Sequence, residues 1–132
     1  MISLLPKSLY LQIKGVCDKH MTVKNDKSPP KIVVVFCTAP HDASESIARA
    51  LVEQRKVACV NVTPVRSYYR WKGKFCADNE DLLIAKIPKK DSSAVIALIK
   101  SIHPYELPEI IVLPVVAGYA PYLEWVYQEA RA

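Results

Sequence analysis

From Lys31 onward the apolar and polar positions follow two clear periods. Ile32-Val33-Val34-Val35-Phe36-Cys37-Thr38 is an unbroken, largely β-branched run, the pattern of a central strand covered on both faces. Pro40 closes it. Asp42-Ala43-Ser44-Glu45 then predicts a capping box, with Asp42 accepting from the backbone and Glu45 reaching back. Ile47, Ala48, Leu51 and Val52 form one apolar stripe on the helix that follows, with Arg49, Glu53 and Arg55 turned to water. Lys56 to Trp71, rich in Val, Thr and Tyr, predicts a long strand in which Pro64 marks an edge or a bulge. Trp71-Lys72-Gly73-Lys74 is a tight-turn signal. Phe75 and, beyond the polar Asp78 to Asp81, Leu82 to Ile87 complete the second arm of a long hairpin. Asp91 is placed to cap a second helix, whose Ala94, Val95, Leu98, Ile99 and Ile102 share a face. Glu109 to Val116 reads as a fourth strand broken by Gly118, and Pro121 opens a last helix through Tyr122, Leu123, Trp125 and Val126.

The order β-α-β-β-α-β plus a terminal helix places the chain in the α+β class, as a ferredoxin-like sandwich with a long β-hairpin and a C-terminal helix. The hairpin is long for so small a sandwich, and its tip carries Tyr68, Tyr69 and Trp71. Aromatic strand surface of that kind is ordinarily paired with another chain, so the pattern predicts an oligomer.

Composition narrows this picture. The chain has 132 residues, 51% of them hydrophobic and 23% charged, enough for one packed domain and too apolar for general disorder. The net charge of +5 is partly an excess of lysine among the first thirty residues, so no basic nucleic-acid footprint is implied for the rest. Met1 to Pro30 lacks a sustained period and ends in the linker-like Asn25-Asp26-Lys27-Ser28-Pro29-Pro30. It reads as a flexible or accessory extension (residues 1–30) ahead of the folded domain (residues 31–132). Its lysines and shortage of acids leave organellar targeting open. No apolar run approaches the ~20 residues that span a bilayer, and no membrane partner is expected. The four cysteines form neither a C-x-x-C pair nor a framework, which points to a reducing compartment and a cytoplasmic location.

Chemistry concentrates in His103-Pro104-Tyr105-Glu106-Leu107-Pro108-Glu109, which sets an imidazole, a phenol and two carboxylates around two prolines between a helix and a strand. Gly-rich phosphate loops, H-E-x-x-H and G-x-S-x-G are absent, and the sequence predicts no enzyme and no organic cofactor. Tyr68-Tyr69-Arg70-Trp71-Lys72 interleaves aromatics and cations as RNA-binding strands do. The sheet-face motif of RNA-recognition modules is missing, however, and a nucleic-acid partner is not expected.

Four ordered segments resemble the CutA family of divalent-cation tolerance proteins: Val35 to Pro40, Arg55 to Asn61, Tyr69 to Lys74, and His103 to Glu109 with its following strand. Tyr122-Leu123-Glu124-Trp125 fits as well. The likeness runs from Lys31 to Arg131. It implies a non-enzymatic homotrimer, similar in architecture to the nitrogen-regulatory PII proteins, with long hairpins joining the sheets about a three-fold axis. It also implies binding of copper or another divalent cation, with Cys37 and His103 at the positions of the family's ligands. Glu109 could complete such a set, since Cu(I) favours sulfur and imidazole and Cu(II) imidazole and oxygen. Ile102 replaces a second histidine frequent in bacterial members, and Pro64 is followed by Val65 where glycine is common. Two plainer readings stand beside this one: Cys37 as a small core residue and His103 as a helix-end partner. Tyr69, Trp71, Lys86, Tyr105 and Trp125, together with Glu80, are the candidates for an intersubunit pocket or interface. Buried ring area with satisfied N–H and O–H groups would account for the aromatics equally.

Overall fold

The computed structural model of the chain describes residues 28–130. The extension read from residues 1–30 therefore lies almost wholly outside the described residues. Four strands, β1 (Ile32–Ala39), β2 (Cys59–Trp71), β3 (Lys74–Pro88) and β4 (Ile110–Pro114), form one antiparallel sheet in the order β2-β3-β1-β4. Helices α1 (His41–Glu53) and α2 (Ser92–Ile102) provide the crossovers, and α3 (Ala120–Glu129) ends the described chain. The expected α+β ferredoxin-like arrangement is the one found.

Alternation along β1 and β3 divides the sheet into two faces. Val33, Val35, Cys37 and Ala39 pack with Leu83, Ala85 and Ile87 against Ile47 and Leu51 of α1 and Val95 and Ile99 of α2. Each of these side chains is less than a twentieth exposed, and together they are the core. The opposite face is covered only at one end, where α3 meets β1 and β3 and Ile32, Pro88 and Val126 are buried. Farther along that face Phe36, Leu82 and Ile84 are half-buried, and Ile111, the strand partner of Phe36, is 49% exposed.

The hairpin turns through Lys72 (φ 50°) and Gly73 (φ 76°). Two positive φ values in a two-residue loop make a type I′ turn, whose twist matches the strands. From that turn the register runs unbroken, Trp71 opposite Lys74 through Cys59 opposite Lys86. Pro64 thus lies in an edge strand without a bulge.

Several boundaries differ from expectation. The first helix begins at His41, and neither Asp42 nor Glu45 forms a capping box; no side chain of the cap residue bonds the helix end. The Pro40 carbonyl accepts from the N–H groups of Ala43 and Ser44, and Asp81 of β3 supplies the side-chain carboxylate at this end. Val52 is 42% exposed, because the stripe narrows to Ile47 and Leu51. β2 starts at Cys59 and not Lys56: Arg55 is left-handed (φ 58°), and the N–H groups of Lys56 and Val57 close the helix onto the Leu51 carbonyl. β4 runs from Ile110 to Pro114, shorter than the expected Glu109 to Val116, with one more backbone bond from the Val115 N–H to the Ile32 carbonyl beyond it.

Candidate functional site

The hairpin, the end of β1 and the segment after α2 border a half-open cavity of about 680 Å³. Register explains how distant residues meet there. Residues opposite one another across an antiparallel pair share a face. Tyr69 stands opposite Cys76, Ser67 opposite Asp78 and Val65 opposite Glu80. Tyr69, Trp71 and Glu80 therefore project to the face opposite α1 and α2 and line the cavity from the hairpin side. Pro104 to Leu107 and Glu109 close it from the other side, with Thr38 at the base.

His103 sets the shape of that closing segment. It is the C-cap of α2, with extended backbone (ψ 136°), as a residue before proline should be. Its Nε2 lies 2.8 Å from the Thr38 carbonyl, and its Nδ1 accepts the Tyr105 backbone N–H at 3.0 Å. That pairing puts the ring proton on Nε2, where it is donated to Thr38. One imidazole thereby ties the end of β1 to the turn that carries Tyr105. The Tyr105 ring packs against it, with centroids 4.8 Å apart, and its hydroxyl donates to Glu80 Oε2 at 2.9 Å. Burial, and next the Glu80 carboxylate, push the Tyr105 phenol well above the usual tyrosine range. Tyr69 donates to Asp78 and is pushed up to about 12, first by that hydrogen bond.

Cys37 lies one residue from Thr38 on the core face, 2% exposed, with its thiol 3.6 Å from the Thr38 carbonyl. Burial, then the carboxylates of Glu109 and Glu80, push it up to about 12, so the sulfur is a thiol and not a thiolate. Glu109 lines the cavity just ahead of Ile110, the strand partner of Cys37. Among the described residues, no three His, Cys, Asp or Glu side chains converge as metal ligands. Cys37, His103 and Glu109 are neighbours, but both imidazole nitrogens are committed to backbone groups.

The five interface candidates separate into two groups. Tyr69, Trp71 and Tyr105 meet at the cavity. Lys86 is six residues along β3 from Glu80, roughly 20 Å at the rise of a strand. Its ammonium donates to Asn61 Oδ1 and to the Ile84 carbonyl. Trp125 is half-buried on α3 and stacks on Tyr122, centroids 5.6 Å apart. Sequence reading missed Thr38 and the Tyr69–Asp78 pair. The turn at Lys72-Gly73 held the signal, because a two-residue loop fixes every cross-strand partner behind it. It also missed a second cluster, in which Asp81 accepts from Ser44 Oγ (2.5 Å) and pairs with His41 Nδ1 (2.9 Å).

Residues 33–129 match the sequence model of the family described as CutA1 divalent ion tolerance protein. This chain belongs to that family. Protein CutA of Mus musculus is 43% identical over 129 residues, covering 95% of this chain and 73% of the mouse protein. Among solved structures, CutA1 from Oryza sativa has a TM-score of 0.75 at 35% identity, covering 78% of this chain and 96% of that one. A structure titled PII-like protein CutA, from Nostoc sp. PCC 7120, has a TM-score of 0.73 at 38% identity, covering 75% and 97%. Compartments differ within the CutA family: an Arabidopsis thaliana relative is named chloroplastic and an Archaeoglobus fulgidus one is titled periplasmic. No described helix of this CutA chain is long and apolar enough to cross a membrane.

Proposed function

We propose that this protein is a non-enzymatic homotrimer of the divalent-cation tolerance type, cytoplasmic in location, whose ligand clefts are completed between copies. The observation that carries this reading is the uncovered sheet face. Phe36, Leu82 and Ile84, half-buried, and Ile111, 49% exposed beside Phe36, form an apolar strip on the face opposite α1 and α2, the same face that carries Tyr69 and Trp71 of the hairpin. Burying such a strip against copies of itself removes it from water without any other partner. Native mass of the full chain tests this. A particle of three chains is expected; a stable single chain at micromolar concentration would discard it.

Copper or another divalent cation is the ligand the family name suggests. The donors on offer are Cys37, His103 and Glu109, and as folded they do not form a ready ligand set. Ligation by His103 requires release of one of its two backbone bonds, and ligation by Cys37 requires loss of a proton held by burial. Copper uptake through these residues is therefore coupled to opening of the 103–105 turn. With one thiol proton released, affinity rises about tenfold per pH unit. Copper titration of the protein against Cys37→Ala and His103→Ala decides the matter, and unchanged stoichiometry and affinity in both variants would remove this site. The cavity favours a second reading, a PII-like module that takes a small ligand beside Tyr69, Trp71 and Tyr105.

A further inference from the structure

The cavity walls are unusual in sign. Three rings (Tyr69, Trp71, Tyr105) and the carboxylates of Glu80, Glu106 and Glu109 contribute, and no lysine or arginine lines it. That is notable in a chain whose basic residues outnumber its acidic ones, 18 to 13. Glu80 is 7% exposed, which makes it a carboxylate nine-tenths buried in an aromatic wall. Tyr105 donates to one of its oxygens and Tyr69 donates to Asp78, so both phenols use their O–H on carboxylates and present ring surface to the cavity. One of these rings already attracts a cation within the chain: Lys72 Nζ lies 5.8 Å from the Trp71 centroid.

The charge calls for a cation, and the aromatic surface discriminates among cations. A small divalent ion needs several oxygens converging at short range, and the cavity spreads its carboxylates around rings instead. An alkylammonium ion matches both features, its carbon chain against Trp71 and Tyr69 and its charge over ring faces beside Glu80. A volume near 680 Å³ is ample for such a molecule.

We propose that this cavity binds a short alkylammonium ion, with Trp71, Tyr69 and Tyr105 as its aromatic wall and Glu80 as its counter-charge. The proposal rests on the reading of the cavity as a ligand site. The test uses the full chain in its native assembly. Butylammonium chloride is titrated by calorimetry while the Trp71 indole N–H is followed by NMR, with 1-butanol as the uncharged probe and sodium chloride as the salt control. Saturable binding of one butylammonium per chain is expected, with the Trp71 signal moving and 1-butanol at least tenfold weaker. Glu80→Gln, which keeps an acceptor for Tyr105, and Trp71→Leu should each weaken binding at least tenfold. Equal affinity for 1-butanol, a Trp71 signal unmoved at saturation, or full affinity in Glu80→Gln would overturn the proposal. Native mass separates the two levels. Intact trimers that ignore butylammonium sink the ammonium assignment alone, whereas single chains sink the intersubunit reading with it. Should a variant fail to assemble, the comparison of butylammonium with 1-butanol on the unaltered protein still decides.

Discussion

His103 shows how a residue rich in chemical possibility is held by structure. An imidazole before proline reads as a ligand or a base, yet this one bridges the Thr38 carbonyl and the Tyr105 N–H. At 9% exposure, loss of the ring leaves two backbone groups short of a partner, at about 1–3 kcal/mol per stranded group. His103→Ala is therefore expected to lose on the order of 2 kcal/mol in urea unfolding, with the shape of the cavity changed as well. Asp81 offers a second test. Bonds from Ser44, then from His41, hold its carboxyl below the usual range against the opposing effect of burial. A depressed carboxylate adds stability above its unfolded value, near pH 4, and that stability fades as pH falls toward the folded value. Asp81→Asn should flatten the acid limb of stability against pH below about 4, as read by thermal melts across pH. An unchanged acid limb would show that the cluster carries no charge-linked stability. Neither role was legible in the sequence. Both depend on a carbonyl or a carboxylate brought from a strand 37 to 65 positions away.

Element by element, the pattern of side chains was a good guide where packing and local chemistry agree. β1 and the hairpin with its Lys72-Gly73 turn follow directly from period and turn residues, whereas the expected face of α2 narrows to Val95 and Ile99, with Ala94 and Ile102 exposed. Boundaries shifted where the backbone found partners unrelated to hydrophobic pattern. α1 closes through a left-handed Arg55, a conformation that costs a side-chain-bearing residue about 1 kcal/mol more than glycine. The Arg55–Glu129 pair, 3.8 Å apart with both side chains half exposed, offsets little of that. Arg55→Gly is expected to stabilise the protein by roughly 0.5–1 kcal/mol, measured by chemical denaturation. Gly73→Val should act in the opposite direction by about 1–2 kcal/mol, since φ 76° suits glycine and disfavours a branched side chain even though the surrounding space is open. The candidate site was half legible at this scale. Tyr69, Trp71 and Tyr105 belong together because turn and register place them so, whereas Lys86 and Trp125 belong to the other end of the same face.

At the scale of the molecule, the asymmetry between the two sheet faces governs behaviour. One face has two helices over a dry core; the other has α3 at one end and a bare apolar strip beyond it. Leu82→Asp places a charge in that strip while leaving the core untouched. It should convert assembled particles into single chains by native mass, with far-UV dichroism little altered. Retention of the assembly would move the interface elsewhere on the surface. The outer rims of the sheet bear on how the proposed assembly would stop growing. Pro64 interrupts β2 midway and Pro114 terminates the five-residue β4, so each free margin carries a residue unable to donate. An incoming strand can zip only a few rungs before meeting a blank, which favours a closed ring of finite size over an endless ribbon. Two pyrrolidine rings thus stand where a further strand would add, and both work against fibre growth.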